Sequence, residues 1–292
     1  MECGESHMKY QTVGVVGAGV MGVGVAENLA ATGHRVILVD VADDTLATAR
    51  KQIDRSLRSA MLWDAGASRE DHSVVLGRIE FATDHQRLAD AEFVVENSTE
   101  RWSVKNEIYR RLDAICAPQC VFAANTSAIS ISRIASATTR PDKVIGMHFM
   151  NPVPKKKFVE VIRTPQNSES TLQAARELLL EMGKEAIVVN DKPGFVSNRV
   201  LMITINEAIG VVQDEVASPK DVDDIFVKCA GHKMGPLATA DLIGLDTILL
   251  TLDVLYESYG HEKYVPCGLL KQMVDAGRLG RKSGHGFFEY SR

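Results

Sequence analysis

Two short stretches of this sequence hold residue types that could move a proton. VIGMHFMNPVP, residues 144–154, sets His148 inside an apolar run, and FVEVI, residues 158–162, sets Glu160 twelve positions later among valines. If both runs are strands, His148 shares a face with Val144, Gly146 and Met150, and Glu160 shares one with Phe158 and Ile162. Neither face is polar. A buried carboxylate without a partner is costly, so Glu160 needs a partner or a proton. The bend Asn151-Pro152-Val153-Pro154 can turn the chain back and lay the two strands side by side. A carboxylate beside an imidazole fixes its tautomer and stabilises the imidazolium, which is the arrangement of a general base. A core histidine in a structural ion pair has the same pattern, and on these residues alone the two readings weigh equally.

A second constellation tips that balance. Gly17-x-Gly19-x-x-Gly22 lies between an apolar β-branched run, Val13 to Val16, and a stretch of small and apolar residues, Val20 to Ala31. At such a strand-to-helix turn the glycines allow a tight turn, close approach of a pyrophosphate and close helix packing, with the helix N-terminus facing the phosphates. Asp40 ends the next strand, 18 residues past Gly22, where it can accept hydrogen bonds from a ribose hydroxyl. It would repel a 2′-phosphate, which favours NAD over NADP. A glycine-rich turn without a ligand and an acid that merely opens a turn are the plainer readings; the flanking elements and the acid together argue against them. A dinucleotide carries hydride, and a hydroxyl being oxidised must give up a proton, so a base beside such a site is the favoured reading of His148.

The elements that must position these residues are legible in outline. Further apolar strands are expected at Phe93–Glu96, Val121–Ala124, Val144–Phe149, Phe158–Ile162 and Ala186–Val189, alternating with helices. Strands lacking polar alternation imply a parallel sheet covered on both faces. From Arg199 to Tyr259 helical periodicity runs almost unbroken. The expected fold class is α/β: a Rossmann-type, doubly wound N-terminal domain (residues 9–190) followed by an all-helical C-terminal domain (residues 191–292).

Bulk properties exclude several classes of function. The chain has 292 residues, 45% of them hydrophobic, enough for about two packed domains. A formal charge of −5 with mixed signs lacks the basic stripe that nucleic-acid binding requires. There is no apolar run of membrane-spanning length and no signal-peptide core at the start, which suggests a cytoplasmic protein. Residues up to Met8 read partly as a cloning scar, so the fold is read from Lys9. Five scattered cysteines fit reduced thiols better than a disulfide framework, and Cys116 and Cys120 lack the further ligands of a zinc site.

Over its length from Lys9 the chain resembles the L-3-hydroxyacyl-CoA dehydrogenase family. The resemblance rests on GVVGAGVMG, VVENSTERWSVKNEIYRRLD, NTSAISISRIASATTRPDKVIGMHFMNPVP, FVEVI, PGFVSNR, MGPL, IGLDT and GRKSGHGFFEY. It implies a Rossmann-type domain, a helical domain that forms a homodimer contact, an active site in the cleft between them, NAD as cofactor and an acyl thioester as substrate. It implies that His148 is the catalytic base, Glu160 its orienting acid, and Ser127 and Asn198 the groups that hold the substrate. It assigns Gly17, Gly19, Val20, Met21, Gly22, Asp40, Glu100, Lys105, Asn151 and Lys282 to the cofactor. Read without the family, Ser127 and Asn198 are a turn residue and a helix cap, Glu100 and Lys105 a solvated helix face, and Lys282 surface charge.

The chain departs from the family at its coenzyme A contacts. A serine and, seven residues later on one helix face, a lysine contact coenzyme A in the family; here Ser56 remains and Trp63 replaces the lysine. The loss of a charge-assisted partner is worth about 1.5–3 kcal/mol, which Arg58 or Arg69 could restore, and Trp63 equally suits packing. The wording of VVENSTE, HFMNPVP, GPLATADLIGLDT and LDVLYESY is similar to the subgroup acting on carrier-protein thioesters in polyketide extender-unit pathways. There a glyceryl group on an acyl-carrier protein is oxidised on the route to methoxymalonyl units. Oxidation of a free sugar acid or hydroxy acid, and a dinucleotide-binding protein without catalysis, are the rival expectations.

Overall fold

The computed structural model describes residues 8–63, 70–127 and 129–290, which divide after Asp191 into two compact units. In the first unit, eight strands form one sheet: β1 (Thr12–Val16), β2 (Arg35–Val39), β3 (Ile79–Ala82), β4 (Phe93–Glu96), β5 (Val121–Ala124), β6 (Val144–His148), β7 (Phe158–Arg163) and β8 (Glu185–Asn190). Their order is β3-β2-β1-β4-β5-β6-β7-β8. All neighbours are parallel except β6 and β7. Strand order reverses between β1 and β4, so the crevice at their carboxyl ends is the switch point of a doubly wound sheet.

Six helices cover this sheet: α1 (Val20–Ala31), α2 (Asp43–Trp63), α3 (His72–Gly77), α4 (Trp102–Ile115), α5 (Ile131–Ala135) and α6 (Glu169–Glu181). One core joins Val25, Leu29, Ile53 and Leu178 from α1, α2 and α6 to Val13, Val15, Met147 and Val161 of the strands. On the other side Tyr109 of α4 meets Phe122 edge-on, and Ile131 of α5 fills the space beside Gly146. Each fully buried Val or Leu contributes about 1.5–3 kcal/mol, so the covered central strands are the firm platform of the unit. β8 is the weaker edge, with Ile187 55% exposed.

The structure adds β3, for which apolar runs gave no signal. It is an edge strand in which Ile79 is buried and Glu80, Phe81 and Ala82 are only partly covered. Strand β6 stops at His148, one residue before the expected end. The bend that follows, with Asn151–Pro152 in the cis form, leads through a short 3-10 turn at Val153–Lys155 into β7, which returns antiparallel.

The second unit contains α7 (Ser197–Gln213), α8 (Pro219–Lys228), α9 (Pro236–Ile243), α10 (Leu245–Tyr259) and α11 (Gly268–Asp275). Its core includes Met202, Ile205, Leu237, Ile248, Leu252 and Leu270. Two family-like motifs have structural roles here. The turn of MGPL is held by Asp223, whose carboxylate accepts the N–H groups of Leu237 and Ala238 at the start of α9 (2.8 Å each). Asp241, 1% exposed, accepts the N–H groups of Phe287 and Phe288 and the hydroxyl of Tyr290, folding the GRKSGHGFFEY segment onto α9. Burial and this carboxylate push the Tyr290 pKa up to about 12. None of the described helices is long and apolar enough to cross a membrane.

Candidate active site

The glycine loop is constrained where the sequence requires it. Gly17 has φ +91°, and a Cβ there would lie 2.8 Å from the Asn97 carbonyl oxygen; a Cβ on Gly22 would fall 1.7 Å from that of Gly17. Around Gly19 the space is open. Helix α1 starts at Gly19 without a side-chain cap, leaving its first N–H groups for a ligand. Val20 is exposed and Met21 half-buried in its first turn. The loop is tied down by Gly17 N–H to Val39 O (2.8 Å) and Ala18 N–H to Asp40 Oδ2 (2.7 Å).

Beside the loop lies a cavity of about 480 Å³ lined by Gly17, Gly19, Asp40 and Asn97 and by the apolar side chains of Val41, Val104 and Ile108. An open glycine, bare helix N–H groups, an acid and an apolar slot fit a dinucleotide. His85 also lines the cavity, where burial first and then the nearby Arg111 hold its pKa below the usual histidine value.

The residues expected to move a proton meet at the carboxyl edge of the same sheet. His148 and Glu160 are direct partners in the β6–β7 register, with Nδ1 3.0 Å from Oε2 and both residues under 10% exposed. On the far side of the ring, Nε2 is 3.3 Å from Ser127 Oγ. In the tautomer whose Nδ1–H donates to an ionised Glu160, Nε2 presents its lone pair on the Ser127 side.

Several supports escaped the sequence reading. The Glu100 carboxylate, expected at the cofactor, accepts the Thr126 hydroxyl and the Ser127 N–H (2.6 Å each) and so carries the loop that presents Ser127. Asp191 accepts from Ser130 Oγ, Ser132 Oγ and the N–H groups of Ile131 and Ser132, pinning the same loop at the start of α5. Asn97 and Asn125 link the ends of β4, β5 and β6: Asn125 Nδ2 donates to Asn97 Oδ1 (2.7 Å), and Asn125 Oδ1 accepts from Phe149 N–H (3.2 Å). These contacts join residues 24 to 61 positions apart, a separation with no local sequence signature.

The other expected residues have the following surroundings. Lys105 does not lie on a solvated helix face; its ammonium is fully buried and donates to Glu96 (2.6 Å). The Ser56 hydroxyl donates to Glu27 (2.7 Å), a buried carboxyl whose pKa is raised by desolvation. Asn151 is exposed in the bend. Lys282, in the second unit, forms an ion pair with Asp246. Asn198 stands in the first turn of α7. Arg58 pairs with Asp54, whereas Arg69 and the side chain of Trp63 lie outside the described residues.

A doubly wound sheet with a phosphate-type loop at its switch point and an imidazole–carboxylate pair at the same edge defines a dinucleotide-dependent oxidoreductase. Residues 12–192 match the 3-hydroxyacyl-CoA dehydrogenase NAD binding domain, and residues 194–290 match the C-terminal domain of that family. The chain belongs to the 3-hydroxyacyl-CoA dehydrogenase family, whose members are NAD-dependent oxidoreductases. It is 45% identical over 277 residues to a probable 3-hydroxybutyryl-CoA dehydrogenase of Deinococcus radiodurans, covering 95% of this chain and 99% of the relative. It is 38% identical to the human mitochondrial hydroxyacyl-coenzyme A dehydrogenase, covering 95% and 90%. The crystal structure of (S)-3-hydroxybutyryl-CoA dehydrogenase from Ralstonia eutropha superposes with a TM-score of 0.92 at 40% identity, covering 97% of this chain and 100% of that one.

Proposed function

We propose that this enzyme oxidises the 3-hydroxyl of a 3-hydroxyacyl-CoA to the 3-oxo thioester, with His148 as general base. The observation that carries the reading is the Ser127–His148–Glu160 chain at the switch-point edge. Gly17, Gly19, Val20, Met21, Gly22 and Asp40 hold NAD, which when bound supplies the hydride acceptor. His148 Nε2 removes the hydroxyl proton as hydride leaves C3, and Glu160 stabilises the resulting imidazolium. Ser127 holds the reacting hydroxyl; Asn198 is assigned to the thioester carbonyl by the family resemblance. Asn151, Lys105 and Lys282 enter the cofactor set on the same ground.

The test is the initial rate of NADH formation from 3-hydroxybutyryl-CoA by the unaltered enzyme and by His148→Ala. The variant should lose about 10²- to 10⁴-fold in turnover, the range for a general base. Near-normal turnover would remove the central assignment.

A second reading keeps the chemistry and changes the carrier. The wording shared with extender-unit enzymes supports a 3-hydroxyacyl or glyceryl group on a carrier protein, in methoxymalonyl synthesis rather than fatty-acid metabolism. Matched rates on the two carriers separate them. In the second unit, α7 and α8 flank an open apolar recess of about 470 Å³ lined by Ile203, Val211, Val216, Ile225 and Phe226, with Val216 73% and Ile225 56% exposed. The exposed apolar side chains of this recess support a homodimer, which sedimentation equilibrium would test. Free, buried Cys116 and Cys120 suit a reducing compartment such as the cytoplasm.

A further inference from the structure

The bend between β6 and β7 ends in three consecutive lysines, Lys155, Lys156 and Lys157, all exposed, in a chain whose formal charge is −5. Among the described residues no carboxylate forms an ion pair with any of them. Adjacent like charges repel, so an unpaired run of this kind asks for an anion.

The backbone under these side chains is locked. Lys155 N–H donates to Pro152 O (3.1 Å) and Lys156 N–H to Val153 O (3.3 Å). The buried ammonium of Lys184 donates to Val153 O and Lys156 O (2.7 Å each), and Glu185 N–H donates to Lys157 O (2.8 Å). From the other side, Val153 packs so tightly on Gly24 of α1 that a Cβ there would sit 3.0 Å away. Lys184 therefore fixes the bend and adds a fourth positive charge beneath it.

The location selects the anion. β6 runs parallel to β5, so its carboxyl end and the bend lie at the same sheet edge as the glycine loop and Ser127. Open α/β sheets take their ligands at that edge. The cofactor's diphosphate already has its place at the start of α1, which leaves the anionic groups of the substrate. Lysines are hydrated point charges on flexible stems, suited to phosphates at the end of a long, flexible arm.

We infer that Lys155, Lys156 and Lys157 form the anion site for the 3′-phosphate and diphosphate of the CoA portion of the substrate, an inference that rests on the CoA-thioester reading above. The experiment compares the unaltered enzyme with the triple variant Lys155→Gln, Lys156→Gln, Lys157→Gln on 3-hydroxybutyryl-CoA and on the 3-hydroxybutyryl ester of pantetheine, which has the same thioester and no phosphate. Only backbone atoms of the run hold the fold, and thermal melts check that the variant is intact. The variant should lose about 10- to 100-fold in kcat/KM on the CoA ester, the sum expected of three exposed ion pairs, and less than about 2-fold on the pantetheine ester. The decline of the CoA-ester rate with added salt should flatten in the variant. Equal losses on both esters, no loss on either, or a loss confined to an ester on an acidic carrier protein would overturn the inference. If the unaltered enzyme turns over neither ester, the thioester reading itself fails, and the anion site with it.

Discussion

His148 and Glu160 stand opposite each other across a single antiparallel pair, with the imidazole Nδ1 3.0 Å from the carboxylate. The contact is enclosed on a sheet face, where Glu160 cannot exchange its partner for water. Glu160→Gln keeps an acceptor and the side-chain volume but removes the charge that stabilises the imidazolium. Turnover should fall at least about 10²-fold with the melting temperature nearly kept, as steady-state kinetics and calorimetry on one preparation would show. A variant of full activity would reduce the pair to a structural one.

Glu100 presents a sharper choice, because its position was expected to serve the cofactor and its carboxylate is found holding the Ser127 loop. Removing two charge-assisted hydrogen bonds by Glu100→Ala should cut thioester kcat/KM about 10- to 100-fold, with NAD affinity changed much less. Fluorescence titration of NAD beside the kinetics decides. An affinity loss as large as the kinetic one would return Glu100 to the cofactor.

Asp40 is bonded to Ala18 N–H and lines the cavity, so it shapes the loop as well as its charge environment. Asp40→Ala should weaken NAD binding and, by removing the charge that opposes a 2′-phosphate, narrow the preference for NAD over NADP by about tenfold. Dissociation constants for both cofactors measure this. An unchanged ratio would place the acid away from the ribose.

Lys184 makes stability depend on alkaline pH. Burial lowers its pKa from 10.5 to about 8 in the folded chain. Between these values the unfolded chain holds the extra proton, so this group's contribution raises stability as pH climbs from about 8 to 10.5; below about 8 both states are protonated and its cost is constant. The full span is roughly 3 kcal/mol. Denaturant midpoints of the unaltered protein and Lys184→Met, compared from pH 7 to 10, should diverge in this sense, since other titrations are common to both. Parallel curves would show that the ammonium keeps an ordinary pKa in the fold.

Much of this was legible before folding, for identifiable reasons. The glycine loop announces itself because only glycine tolerates Gly17's positive φ and the contact at Gly22, and the neighbouring strands are marked by unbroken apolar runs. His148 and Glu160 stood out because a charge amid valines must be compensated, and the proline bend between them supplied the means. Strand β3 stayed hidden because an edge strand needs cover on one side only, and its mixed composition resembles a loop.

By itself, the sequence determined the doubly wound sheet, the helical second unit and the dinucleotide loop, and it singled out His148 and Glu160 as a pair. Only tertiary structure decided that Lys105 is buried against Glu96, that Glu100 and Asp191 hold the loop of Ser127, and that Lys184 locks the bend beneath an exposed run of lysines. The reason is physical. Apolar periodicity and glycine geometry act over a few residues and leave a local pattern, whereas a buried charge is neutralised by whatever partner the fold brings near, and a charged residue reads the same in sequence whether it meets water or a carboxylate.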